Sequence, residues 1–155
     1  MLAGCLDGTR LHGRTVVTAV LPVVCGEAVR SLQRCRRQHD PEMVVCRGVA
    51  GSRRKLSLER VAINLDDARI PANRGQRPID TPVRNTGPAA YFSTLPLKAM
   101  HRTLTRGDWP VEVSATAGTY VCNHVFYGLI HTLRRRPGVR GGFIHVPRPR
   151  RGFTL

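Results

Sequence analysis

Residues 110–136, Pro110-Val-Glu-Val-Ser-Ala-Thr-Ala-Gly-Thr-Tyr-Val-Cys-Asn-His-Val-Phe-Tyr-Gly-Leu-Ile-His-Thr-Leu-Arg-Arg-Arg136, hold a strand, a turn and a helix in succession. Pro110 to Ser114 reads as the strand. From Thr119 to Arg136 the apolar residues recur at helical spacing. Val121, Val125, Leu129 and Leu133 form one stripe, widened by Phe126 and Ile130. Arg134, Arg135 and Arg136 fall in the last turn, where cations suit the helix dipole. A second strand follows at Gly141 to Val146, which makes the segment a strand-helix-strand unit.

The same alternation extends toward the N-terminus. Met43 to Cys46 is a short apolar run of the kind buried in parallel sheets. Before it, Gly26 to Gln38 carries Ala28, Val29, Leu32 and Cys35 at helical spacing, and His39-Asp40-Pro41 stops it. Thr15 to Leu21 is β-branched and ends at Pro22, so it is expected as a strand. Gly48 to Ser57 reads as a Gly- and Arg-rich loop, Val61 to Leu65 as a strand, and Asp66 to Thr86 as a long loop. Gly87 to Gly107 carries helical pattern, with Pro96 opening its second half. Alternating strands and helices predict an α/β fold with a mostly parallel central sheet. No internal repeat and no shift in composition marks a second domain, so one domain over 1–147 and a basic tail over 148–155 are expected.

Composition agrees with a globular domain. Of 155 residues, 41% are apolar, and the 15 glycines bring the share near the ~45–50% of ordinary globular chains. The longest apolar stretch, Val16 to Cys25, is far short of a membrane helix. No basic start, apolar run and small-residue cleavage site opens the chain, so secretion is not expected. Five unpaired-looking cysteines (Cys5, Cys25, Cys35, Cys46 and Cys122) point to the cytosol. The charge balance is the exceptional feature. Twenty-five basic residues against 10 acidic ones give +15, and only Lys55 and Lys98 are lysines. Such a charge attracts polyanions. Uniform Arg-for-Lys usage across the chain favours a coding bias over one designed patch, and no groove-reading helix or base-stacking aromatic set is visible.

Three stretches carry reactive side chains. Cys122 follows a strand in the first turn of a helix for which Thr119 is the expected N-cap. Unpaired N–H groups and the dipole favour a thiolate there. His145, in Gly141-Gly-Phe-Ile-His-Val-Pro147, lies at the C-terminal end of a strand, the edge at which open α/β sheets bind ligands. An imidazole beside a thiol can take its proton and later protonate a leaving amine. Glu59, in Leu58-Glu-Arg-Val-Ala-Ile-Asn64, is a scarce acid just before a strand, and a carboxylate can fix the tautomer of a histidine. Each also has a plainer reading: a packed cysteine, a hydrogen-bonded core histidine, an exposed carboxylate paired with arginine. His124 and His131 lie seven apart on one helix, but no third metal ligand is evident.

Taken together, ERVAINLDDARIP, GPAAYFSTLPLKA, SATAGTYVCNHVFYGLIHTL and RGGFIHVP, in that order, resemble the pyroglutamyl-peptidase I family, the pyrrolidone-carboxylate peptidases. The resemblance runs from about Leu11 to Pro147. It implies an α/β/α sandwich and removal of an N-terminal pyroglutamyl residue from peptides by a Cys-His-Glu triad. On the matched motifs Cys122 is the nucleophile, His145 the acid/base and Glu59 the orienting acid. Arg69 would sit near the active centre, and Ile70 and Tyr120 would line the pyroglutamyl pocket. The resemblance further implies no metal or cofactor, a cytoplasmic location and a homo-oligomer, often a tetramer.

The sequence also departs from that pattern. The family begins with a strand and a GFDPFGG-type loop that walls the pocket, whereas this chain opens with MLAGCLDGTRLHGR, which resembles the segment after the family's first helix. The expectation is a chain lacking that strand and loop. Val23 and Cys25 replace a Thr and an aromatic residue, Ala72 replaces an Asp, and Gly51-Ser-Arg-Arg54 replaces a Gly-Gly-Arg-type loop. Three functions therefore enter the comparison: an active peptidase, a weakened or inactive truncated member, and a nucleic-acid-binding basic protein.

Overall fold

Helices and strands alternate around a four-stranded sheet in a computed structural model that describes residues 5–24, 26–68, 70, 71, 75 and 77–148. The first elements are the short strands β1 (Arg10–Leu11) and β2 (Arg14–Thr15), an antiparallel hairpin. Its turn places His12 and Gly13 at φ 48° and 78°, the paired positive values that a two-residue hairpin needs. Helix α1 (Glu27–His39) buries Ala28 and Leu32. Glu27 stands in its first turn and Arg36, Arg37 and His39 in its last, which suits both dipole ends. Asp40 closes it in the left-handed conformation and donates its N–H to the Arg36 carbonyl.

The chain then runs through β3 (Met43–Val49), β4 (Leu56–Glu59), β5 (Val61–Ile63), β6 (Ala90–Phe92), α2 (Leu97–Arg106), β7 (Val111–Ser114), α3 (Val121–Leu133) and β8 (Arg140–Val146). The main sheet has the order β3-β8-β4-β7. β3 and β8 are parallel, as are β4 and β7, and the two pairs join antiparallel between β4 and β8. β5 and β6 pair antiparallel apart from it.

Side chains alternate faces along a strand, so the register assigns each residue to a layer. Cys46 and Gly48 lie beside Phe143 and His145, which in turn oppose Glu59 and Ser57. This face is covered by α1 and α3 through a core of Ala28, Leu32, Val125, Phe126, Leu129 and Phe143. Leu58, Val111 and Ile144 point the other way and pack with Leu97, Met100 and Leu104 of α2. The result is the expected α/β/α sandwich. Among the described residues no helix is long and apolar enough to cross a membrane.

α3 is the central helix. All six residues of the predicted stripe are buried, and Tyr127 and Gly128 are buried with them. A Cβ on Gly128 would stand 2.6 Å from Val29 Cγ2, so glycine is what lets α1 approach this closely.

Several local expectations are corrected. Thr15 to Leu21 is not a strand: only Thr15 lies in one, and Val20 is 85% exposed. A β-branched run needs a neighbouring edge to pair with. Here the Thr18 N–H instead donates to Asp7 Oδ1. The Gly48 to Ser57 loop is shorter than expected, because residues 48 and 49 complete β3 and Leu56 opens β4. Met43 to Cys46 does open a parallel-sheet strand, but one on the sheet's edge, with Met43 and Val45 exposed. Residues 87–95 hold β6 rather than helix, and α2 starts immediately after Pro96. Thr119 is not the N-cap of α3. Tyr120 occupies that place without a side-chain cap, while Thr119 Oγ1 donates to the Asp67 carbonyl.

Candidate active site

Glu59 is the last residue of β4, two positions before β5 begins. The chain bends at Arg60, whose N–H still donates to the Ser114 carbonyl while its own carbonyl already accepts from Ser93. Glu59 thus stays on the covered face of the main sheet and its side chain is 0% exposed. His145, from the neighbouring β8, is buried beside it. Its Nδ1 lies 2.7 Å from Glu59 Oε1. A carboxylate can only accept, so Nδ1 carries the hydrogen and Nε2 is the nitrogen left over. Cys122, second residue of α3, stands beside the same imidazole: it is among the groups that act on His145, and its Sγ lies against Gly48, the strand neighbour of His145. The three side chains that the sequence placed far apart are therefore brought together, from two strands and a helix start.

The imidazole has an unusual titration. Burial works to lower its pKa, but the hydrogen bonds to Cys122 and Glu59 and the negative charge of both outweigh this and raise it to about 9. The ring also lies 4.9 Å from that of Phe143, which walls the site on the strand side. Cys46 stands one strand over on the same face and does not share this chemistry. Burial, with the charge of Cys122, pushes its thiol up to about 12, so it behaves as a packed apolar residue.

Several contributors were not singled out from sequence. Gly48 is one: a Cβ there would stand 2.9 Å from Cys122 Sγ and 3.0 Å from Phe143 Cζ. A glycine inside a strand marks close approach of another group, and that was the signal available. Asn123 is another. Fully buried next to Cys122, it accepts from the Ile63 N–H at 2.9 Å and donates to the Ile63 and Leu65 carbonyls at 2.8 and 3.0 Å. It bolts the start of α3 to β5. His124 adds a second tie, since its Nε2 accepts from the Gly26 N–H and its Nδ1 donates to Asp66 Oδ2 at 2.6 Å. His131 instead meets the Tyr91 hydroxyl through Nδ1 at 2.9 Å, so the two histidines of α3 have separate partners. Arg53, 3.1 Å from Glu59 Oε1, is the third contributor that the sequence did not single out.

The expected pocket residues are less closely gathered. Half-buried Tyr120 donates its hydroxyl to the Pro71 carbonyl at 3.1 Å, which brings it to the 66–71 segment. Ile70 in that segment is 65% exposed and is not enclosed by the described residues. Arg69, Cys25 and Ala72 lie outside the described residues, as does all of the basic tail except Arg148.

A helix-start thiol beside an imidazole that a buried carboxylate holds can perform thiol-dependent acyl transfer, and the fold sets it against β8 and β4, the two central strands of the sheet. The family described as pyroglutamyl peptidase matches residues 1–150, and the chain belongs to it. Pyrrolidone-carboxylate peptidase of Klebsiella pneumoniae (strain 342) is 54% identical over 142 residues, 92% of this chain and 66% of the relative. Pyrrolidone-carboxylate peptidase 1 of Ralstonia nicotianae is 52% identical over 143 residues, with the same two shares. Among solved structures, pyroglutamyl peptidase I from Bacillus amyloliquefaciens superposes with a TM-score of 0.90 at 40% identity, covering 94% of this chain and 71% of that one. The pyrrolidone carboxyl peptidase from Thermococcus litoralis gives 0.90 at 37% identity, covering 94% and 66%. The chain thus spans just under two thirds of the length of the first two relatives.

Proposed function

We propose that this protein is a cysteine exopeptidase that removes the N-terminal pyroglutamyl (5-oxoproline) residue from peptides. Cys122 acts as nucleophile, His145 as acid and base, and Glu59 as the group that orients the imidazole. The observation that carries the reading is the gathering of the Cys122 thiol, the His145 imidazole and the buried Glu59 carboxylate at the head of α3, in a member of the pyroglutamyl peptidase family.

His145 Nε2 holds the proton of Cys122, and the thiolate attacks the exocyclic carbonyl of the pyroglutamyl residue. The tetrahedral oxyanion is held by free backbone N–H groups in the first turn of α3. His145 passes the proton to the departing amine, and the peptide leaves without its first residue. Water, deprotonated by the same imidazole, then attacks the thioester and releases pyroglutamate. The lactam ring is small, neutral and flat, which suits a slot bordered by Tyr120 and Ile70, with Arg69 near the reacting centre. The reading calls on no metal or cofactor. Its other parts are a single domain over 1–147 followed by a basic tail over 148–155, a cytoplasmic setting and a homo-oligomer such as a tetramer.

Release of a fluorophore from a pyroglutamyl amide under reducing conditions tests it. Turnover is expected, and Cys122→Ser should abolish it. A folded protein without turnover sinks this reading and favours a weakened or inactive member of the family.

A further inference from the structure

Glu59 poses a charge problem that the triad alone does not solve. Its side chain is fully buried, and Oε2 has no hydrogen-bond partner among the described residues. Taking a carboxylate out of water is costly unless a counter-charge and hydrogen bonds replace the solvent. Among the described residues, the groups that offset this cost converge on Oε1, which faces His145 at 2.7 Å and the Arg53 guanidinium at 3.1 Å. His145 changes its charge when it handles a proton, so it cannot be a constant counter-ion. Arg53 carries its charge at every working pH.

The rest of the guanidinium is also engaged. Nη2 donates to the Thr116 carbonyl at 2.9 Å, and Nη1 faces Glu112 Oε1 at 3.5 Å. Glu112 Oε1 is held in turn by Ser57 Oγ at 2.7 Å. Arg53 therefore spans three pieces of the fold: the 50–55 loop that carries it, the ends of β4 and β7, and the 115–120 segment that delivers Cys122. Only a planar fork with several donors bridges two carboxylates and a carbonyl at once. The side chain is 21% exposed, so much of the ion pair is shielded from water.

The geometry points to Arg53 as a positioning residue of this site, the fixed cation that holds Glu59 in place behind His145 and links it to the segment entering α3. The inference rests on the peptidase reading for what the site does, and its test separates the two. The charged and titratable groups facing His145 are Glu59 from β4 and Cys122 from α3, with Arg53 and Glu112 behind Glu59.

Arg53→Met should lower kcat for a pyroglutamyl amide roughly 10- to 100-fold, part of the ~10²–10⁴-fold that a positioned proton-transfer group contributes. KM should change by less than about twofold, because the Arg53 guanidinium is engaged by Glu59, Glu112 and the Thr116 carbonyl. Arg53→Lys should recover part of the loss by restoring the charge without the fork. Arg136→Met, which removes a cation paired with Asp40 far from the site, should leave kcat unchanged. A second readout needs no turnover: alkylation of Cys122 by iodoacetamide at neutral pH, followed by peptide mass, should slow in Arg53→Met and recover in Arg53→Lys. If the Met variant does not fold, Arg53→Gln, which still donates to Thr116, should show the same loss. Unchanged kcat in the neutral variants, a Lys variant no better than Met, or a loss confined to KM overturns the inference. A wild-type protein without turnover defeats the peptidase reading alone. The alkylation rates then decide, with slowing upholding the role of Arg53 and equal rates overturning it.

Discussion

The imidazole of His145 works between two acids, and its protonation sets the working range of the site. Its pKa is raised from 6.5 to about 9 because hydrogen bonds and charge from Cys122 and Glu59 overcome burial. A group whose pKa is raised by folding adds stability that is fully present below its unfolded value and disappears as pH rises through the folded one. The window here runs from about 6.5 to about 9. Turnover and stability are both expected to fall on the alkaline side of that window. Glu59→Gln removes one of the two raising partners, so its alkaline limb should move to lower pH, with turnover at neutral pH down on the order of 10²-fold or more. A pH profile of kcat/KM for both proteins checks this, and an unmoved alkaline limb would show that Glu59 does not tune the histidine. Single residues also explain why neighbouring thiols differ. Cys46 is sealed against Phe143 and α3, whereas Cys122 has an imidazole and a helix start, and chemistry follows environment rather than residue type.

Among the elements, α3 does most to assemble the site, and its placement depends on buried polar ties as much as on its apolar stripe. Asn123 makes three hydrogen bonds to β5 and the residue two beyond it, and His124 bridges α1 and the 66–81 loop. Asn123→Ala leaves buried backbone groups of Ile63 and Leu65 without partners. At ~1–3 kcal/mol for each of the three groups so stranded, a loss of at least about 3 kcal/mol is expected. Urea denaturation would read it, and a shift of less than about 0.5 kcal/mol would mean that water or a relaxed helix start replaces the bonds. The strands contribute in a different way. The bend at Arg60 lets one extended run serve two sheets, so that Glu59 faces α3 while Val61 to Ile63 pair with β6.

At the scale of the whole molecule, the +15 charge is only partly matched by carboxylates. Arg14–Glu42 and Arg136–Asp40 are exposed pairs worth little. Arg36, Arg84, Arg134, Arg135 and Arg136 border one shared hollow with His131 and Thr132. Burial and the Arg134, Arg84 and Arg135 charges hold the His131 pKa below its usual value. Self-repulsion of this kind is screened by salt. The melting temperature, followed by calorimetry, should therefore rise as sodium chloride increases from about 0.02 to 0.2 M. A fall would mean that attractive ion pairs dominate the surface.

Much of the fold was legible in one dimension. The stripe of α3 predicts its burial and the alternation of elements predicts an α/β fold, whereas Arg134, Arg135 and Arg136, expected in the last turn, lie beyond the end of the helix at Leu133. These features are local, because helical period and turn chemistry are properties of consecutive residues. Long ordered motifs likewise sufficed to recognise the family. The sequence could not give partners. Thr15 to Leu21 has a strand's composition but, past Thr15, joins none of the described sheets, while Leu56 to Glu59 looks like loop until β7 and β8 flank it. Glu59 itself reads as a surface acid. Only packing buries it, sets it against His145 and puts Arg53 at its back. Pairing, burial and charge compensation arise between residues distant in sequence, and that is why the tertiary structure alone decided them.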